Sequence, residues 1–179
     1  MRPPRVPRLP IVGVLGSGTE AHAERAEAVG AWLATERVHL LTGAGGGVME
    51  AVSRAFYATP GRTGLVIGIV PGVSGGRPAA GGGYPNPWVE VPVYTHLPLS
   101  GRQGTDPLSR NHINVLTSDV LIALPGSHGT ASEVRLAVRY GRPLVAYLSS
   151  RSQIPGLPAA VRVEPDLEQV KGFVRAQFQ

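Results

Sequence analysis

Val120-Leu121-Ile122-Ala123-Leu124 runs directly into Pro125-Gly126-Ser127-His128-Gly129-Thr130-Ala131-Ser132-Glu133. Five apolar residues bounded by a Pro-Gly turn have the length and composition of a buried strand, and the residues beyond the turn open a helix. Gly126 and Gly129 let the backbone turn tightly and expose its N–H groups. The helix, expected to open at Thr130, adds further free N–H groups and the positive end of its dipole. Gly126, Ser127, His128, Gly129 and Thr130 are therefore expected to cradle a phosphate. Glu133 follows Thr130 by three residues, on the same helix face, which sets a carboxylate beside the anion. Such a placement is unfavourable unless the carboxylate has a task, so Glu133 is a candidate catalytic group.

Outward from this stretch, apolar runs alternate with helical patterns. Strands are expected at 11–15, 38–42, 65–70, near 88–93, at 120–124, at 144–147 and near 161. Helices are expected through Ala31-Trp32-Leu33, over 48–57, over 106–117, from Thr130 to Tyr140 and after Pro165. This alternation predicts an α/β fold: a Rossmann-like, doubly wound, mostly parallel sheet with helices on both faces. One domain over 11–179 is expected after a disordered lead-in over 1–10, where Pro3, Pro4, Pro7 and Pro10 oppose regular structure.

Two more strands end in glycine turns, Gly16-Ser17-Gly18 and Gly43-Ala44-Gly45-Gly46-Gly47. A parallel sheet places all its strand ends on one edge, where open α/β folds bind ligands. Gly16, Ser17, Gly18, Gly45, Gly46 and Gly47 should thus join the first turn around a nucleotide-sized or phosphorylated ligand. The dinucleotide fingerprint does not fit, because Val48 occupies its third glycine position and strand 38–42 ends Leu40-Leu41-Thr42 without an acid for a ribose. No Gly-Lys-Ser/Thr occurs, which excludes a P-loop. In the helix before Val120, Arg110 and Asn114 share a face at i,i+4, with His112, Val115 and Leu116 expected toward the core. Arg110 can grip a phosphate or carboxylate bidentately, or pair with Asp106 four residues away.

A chain of 179 residues, 42% hydrophobic, can bury a sizeable core. Its net charge of +5 comes from 17 basic residues, all arginine except Lys171, and they are scattered rather than clustered with aromatics. A soluble basic surface is expected, with no specific nucleic-acid partner. There is no cysteine, which excludes thiol catalysis and thiolate metal sites. No apolar run approaches the ~20 residues of a membrane span and the start lacks a signal-peptide stretch, so no membrane contact and a cytoplasmic location are expected. His22, His39 and His96 are isolated and no pair has metal-ligand spacing, so no metal is expected. His128, inside the turn, could donate to a phosphate. Trp32 and Trp88 are read as packing residues, and the Gly- and Pro-rich loop 72–87 as a lid, a partner contact or a linker.

Pro125-Gly126-x-x-Gly129-Thr130-x-x-Glu133, with Arg110 upstream, resembles the PGGxGTxxE motif and upstream arginine of the LOG (LONELY GUY) family. Those proteins, once labelled lysine decarboxylases, hydrolyse cytokinin nucleoside 5′-monophosphates to base and ribose 5-phosphate. Gly45-Gly46-Gly47-Val48-Met49-Glu50 is similar to the family's GxxGLM-type turn, and the resemblance spans residues 11–147. Ser127 stands in place of the motif's second glycine, and Asn111 follows the arginine where many LOG enzymes have lysine. Arg110-Asn111-x-x-Asn114-Val115-Leu116 is more similar to a sister branch that includes the molybdenum cofactor carrier proteins, which hold a phosphorylated pterin without turning it over. The resemblance thus implies a small phosphorylated ligand and a homodimer or homotetramer. The favoured expectation is a phosphoribohydrolase cleaving the N-glycosidic bond of a nucleoside 5′-monophosphate, with Glu133 and Arg110 catalytic and no cofactor required. The alternative is a non-catalytic carrier of molybdenum cofactor.

Overall fold

In the computed structural model, residues 8–73 and 83–178 are described. Among them, β1 (Ile11–Leu15), β2 (His39–Thr42), β3 (Val66–Val70), β4 (Val91–Tyr94), β5 (Val120–Ala123), β6 (Leu144–Tyr147) and β7 (Arg162–Glu164) form one seven-stranded sheet. Its order is β4-β3-β2-β1-β5-β6-β7, and every pairing is parallel. The order runs outward in both directions from β1 and β5, so the crevice at the carboxyl ends of those two strands is the topological switch point, where doubly wound sheets open for ligands.

Strand alternation sorts the core into two layers. Val12 and Val14 of β1, Val120 and Ile122 of β5, and Val145 of β6 face α1 (Ala23–Thr35), α2 (Val48–Ala58) and α5 (Leu167–Ala176). Leu15, Leu121, Ala123, Leu144 and Ala146 face α3 (Asn111–Thr117) and α4 (His128–Arg139). Each fully buried Leu or Phe, such as Leu33, Leu40, Phe56 or Leu136, contributes roughly 1.5–3 kcal/mol by leaving water. Trp32 packs in the first layer and its indole N–H donates to Glu36 Oε1 at 2.8 Å. Trp88 lies against Tyr57, ring centroids 5.7 Å apart.

Several boundaries differ from the sequence expectation. α3 begins at Asn111 rather than near 106, because Asp106 Oδ1 accepts the Leu108 N–H at 2.8 Å and closes a local turn that competes with the helix. On α3, Val115 is buried but Leu116 is 44% exposed, and His112 bonds the Tyr140 hydroxyl and the Asp106 carbonyl at the surface rather than entering the core. α4 begins at His128 rather than Thr130, with Ala131 N–H donating to Ser127 O at 3.0 Å, so His128 and Gly129 lie in its first turn rather than before it. β4 begins at Val91, since Asn86 Oδ1 holds the Trp88 N–H in a turn.

Residues 1–7 of the expected lead-in, and residues 74–82 of loop 72–87, lie outside the described residues. Arg8 and Pro10 belong to the fold: Arg8 donates to both oxygens of Asp119 at 2.9 and 2.7 Å, and the Pro10 carbonyl accepts from His39 N–H. No helix among the described residues is long and apolar enough to cross a membrane.

Candidate functional site

The three glycine turns meet at the switch point. Ser17 N–H donates to the Pro125 carbonyl at 3.0 Å, which ties the loop after β1 to the loop after β5, and Val48 N–H donates to the Ser17 carbonyl at 2.9 Å, which adds the loop after β2. Gly47 is what permits the second contact: its φ is +60°, and a Cβ there would run into the Ser17 carbonyl. The amides of His128, Gly129 and Thr130 are first-turn amides of α4, which intrahelical bonding leaves free. The Gly126 amide is not part of that set, since it donates to the Gln153 carbonyl at 3.1 Å.

These loops frame a cavity of about 240 Å³ lined by Gly16, Gly18, Ser127, Gly129, Thr130, Arg110 and Glu133. Arg110, the residue before α3, is only 4% exposed, and its Nε and Nη1 have no hydrogen-bond partner among the described residues. It does not pair with Asp106, whose carboxylate serves the Leu108 amide. Room for the guanidinium exists because residue 43 is glycine: a Cβ there would collide with Nη1 and stand 2.7 Å from Nη2. Glu133 is 9% exposed and its Oε1 accepts from Asn114 Nδ2 at 2.8 Å. Burial raises the Glu133 pKa above the ordinary carboxylate value, against the opposing pull of the Arg110 charge and the Asn114 hydrogen bond. The cavity thus holds one buried cation with unspent donors, one carboxyl whose pKa burial raises and one helix N-terminus. That set suits an oxyanion.

The remaining expected residues fall around this centre. Asn114 stands behind Glu133, its Oδ1 without a partner. Ser17 and Gly126 line an adjoining cavity of about 260 Å³. The Ser17 hydroxyl there accepts from the Thr19 and Glu20 amides. Gly46 lines a third cavity of about 520 Å³. Gly45 and Gly47 are framework: the Gly45 carbonyl accepts from Asn86 Nδ2 at 2.9 Å. His128 is half-buried and outside the lining of all three cavities. Met49, Tyr84, Ser100, Gly101 and Asn111 also line the central cavity and were missed by sequence reasoning. Of these, Asn111, beside Arg110 in the motif, and Met49, in the GxxGLM-type turn, had a sequence signal.

A doubly wound parallel sheet with a glycine-lined cavity at its switch point, carrying an arginine and a glutamate, defines a LOG-like Rossmann protein. The chain belongs to the SLOG cluster4 family, whose model matches residues 9–164. Among curated proteins, none matches the chain. Among solved structures it is similar to the molybdenum cofactor binding protein of Rippkaea orientalis, at 28% identity over 96% of this chain and 99% of that one, with a TM-score of 0.70. It is similar also to the Moco carrier protein of Chlamydomonas reinhardtii, at 28% identity over 96% and 98% of the two chains, with a TM-score of 0.69. DNA processing protein A of Helicobacter pylori, which binds single-stranded DNA, shares the fold at 17% identity over 92% and 73%, with a TM-score of 0.55.

Proposed function

We propose that this protein binds a phosphorylated pterin of the molybdenum cofactor type at the switch point and carries it without turnover. The observation that supports this most is Arg110: a nearly sealed guanidinium with unpartnered Nε–H and Nη1–H at the wall of a cavity. A buried cation with unmade hydrogen bonds is unfavourable, and a ligand oxyanion relieves it. In this reading the phosphate accepts from the Gly129 and Thr130 amides and is faced by Arg110. Asn114 holds Glu133 in place. Burial shifts the Glu133 pKa upward, the direction that lessens repulsion of the phosphate. The likeness to two molybdenum cofactor proteins over nearly the whole chain supports the same reading. The metal would be part of the cargo.

A second reading keeps the hydrolase, on the observation that Glu133, Arg110 and Thr130 line one cavity. There the phosphate would anchor a nucleoside 5′-monophosphate, and Glu133 would stabilise the oxocarbenium-like sugar or orient water as the C1′–N bond breaks and the base departs. Native mass spectrometry of freshly purified protein tests the first reading: a retained pterin phosphate supports it. Release of ribose 5-phosphate from any of a panel of nucleoside 5′-monophosphates, falling by a factor on the order of 10²–10³ in Glu133→Gln, supports the second. A homodimer or homotetramer belongs to the same proposal and is read from the sedimentation mass.

A further inference from the structure

We infer that Glu50 reads the donor edge of a 2-amino-4-oxopyrimidine ring, the edge guanine and pterin share, and so selects that class of ring over adenine. The inference rests on the phosphate site proposed above. Beyond the Arg110 cavity lies the larger one of about 520 Å³, lined by Glu50, Tyr84 and Asn86 among others; Gly18 and Tyr84 line both, so the two adjoin. A ligand whose phosphate sits at the start of α4 can therefore extend its ring past Tyr84 toward Glu50.

Glu50 is in the first turn of α2 and half-buried. Its natural i,i+4 partner, Arg54, is committed elsewhere, donating to Glu27 Oε1 at 2.6 Å. Among the described residues, no hydrogen bond or ion pair occupies the Glu50 carboxylate, and its Oε2 stands 4.0 Å from where a Cβ on Gly46 would be. A first-turn glutamate also favours a helix N-terminus, but that role needs no cavity in front of the carboxylate. Another part of the wall is fixed: Asn86 donates its side-chain amide to the Gly45 carbonyl at 2.9 Å and its backbone N–H to the Ala44 carbonyl at 2.8 Å. The Tyr84 ring lies over Gly45, 3.1 Å from where that residue's Cβ would be, and supplies an apolar flank for a planar ring.

A carboxylate offers two parallel acceptors and no donor. Guanine and pterin present a ring N–H beside an exocyclic amino group, two parallel donors that match it bidentately. Adenine presents an amino donor beside a ring-nitrogen acceptor, and that acceptor faces a carboxylate oxygen unfavourably. The geometry points to discrimination by one bidentate pair, about 10-fold or more.

The test is calorimetric titration of the full chain with GMP, 6-hydroxymethylpterin phosphate, AMP and ribose 5-phosphate. GMP or the pterin phosphate is expected to bind about 10-fold or more tightly than AMP. Glu50→Gln should bring both to the level of AMP while ribose 5-phosphate binds unchanged, with an unaltered thermal midpoint as the check on folding. Tighter binding of the pterin phosphate than of GMP identifies the ring as pterin, and the reverse order identifies a guanine nucleotide. Equal binding of AMP, or a preference that survives Glu50→Gln, overturns the inference while ribose 5-phosphate binding leaves the phosphate site standing. Absence of binding by all four probes overturns both.

Discussion

Gly43→Ala isolates the part played by Arg110 without touching it. A Cβ at residue 43 would stand 2.7 Å from Nη2 and 2.8 Å from Cζ of Arg110, and would overlap Nη1. Carbon contacts are optimal near 3.5–4.0 Å, so the guanidinium must retreat by about 1 Å. The clash is with the tip of a long side chain, so the loss of stability belongs at the low end of the overpacking range, about 1 kcal/mol. Binding should suffer more. Losing a hydrogen bond to a charged group is worth about 1.5–3 kcal/mol, which is roughly 10- to 100-fold in affinity. Urea denaturation and titration with ribose 5-phosphate measure the two effects. The cycle with Arg110→Ala assigns the cause: once the guanidinium is gone, Gly43→Ala should add less than about 0.5 kcal/mol to either. Wild-type affinity in Gly43→Ala, or an equal penalty in the Arg110→Ala background, would refute the argument.

Gly129 lies within α4 without positive φ, and a Cβ there would meet only the Gly101 backbone at 3.4 Å. Gly129→Val should therefore fold normally and lose ribose 5-phosphate binding by filling the cavity, which circular dichroism with titration checks. Glu133 has a raised folded-state pKa, so its neutral form carries stability that is complete below the ordinary glutamate range and is lost as pH rises through the folded value. The Tm of Glu133→Gln should thus gain on wild type as pH is raised from acid, and parallel curves would contradict this. Glu90 behaves oppositely. Its burial would raise its pKa, but two Arg62 hydrogen bonds at 2.8 Å and one from the Val66 amide at 2.9 Å outweigh burial and lower it. That stability is present above the ordinary glutamate range and disappears as pH falls through the depressed value, and Glu90→Gln should lose about 1.5–3 kcal/mol near neutrality by urea titration.

The sheet was readable because its strands are apolar runs closed by Gly or Pro, and β1 and β6 match their expected limits to the residue. Errors cluster where a polar side chain captures a backbone amide, as Asp106 does before α3 and Asn86 does before β4. Periodicity carries no sign of such bonds. Helical spacing alone sets His112 and Leu116 inward with Val115, off the Arg110 and Asn114 face, yet α3 packs through the face of Val115 and Asn114. Around the candidate site, the glycine turns, Arg110 and Glu133 stand out in the sequence because residue type and spacing alone mark them. Tyr84, Ser100 and Gly101 do not, since they come from connections that only the topology brings over the switch point.

The outer strands limit how copies of this chain can join. β4 exposes Val91 and Val93, but between them stands Pro92, which has no N–H to offer a neighbouring strand. At the far side β7 is three residues long, and its Arg162 and Glu164 are paired at 2.6 Å. A short strand bearing charges at one border and a proline at the other are poor templates for continuing a ladder. Growth of the sheet from copy to copy is disfavoured at both ends, which directs any self-association of this chain to its helical faces and leaves the ligand edge of the sheet free of strand exchange.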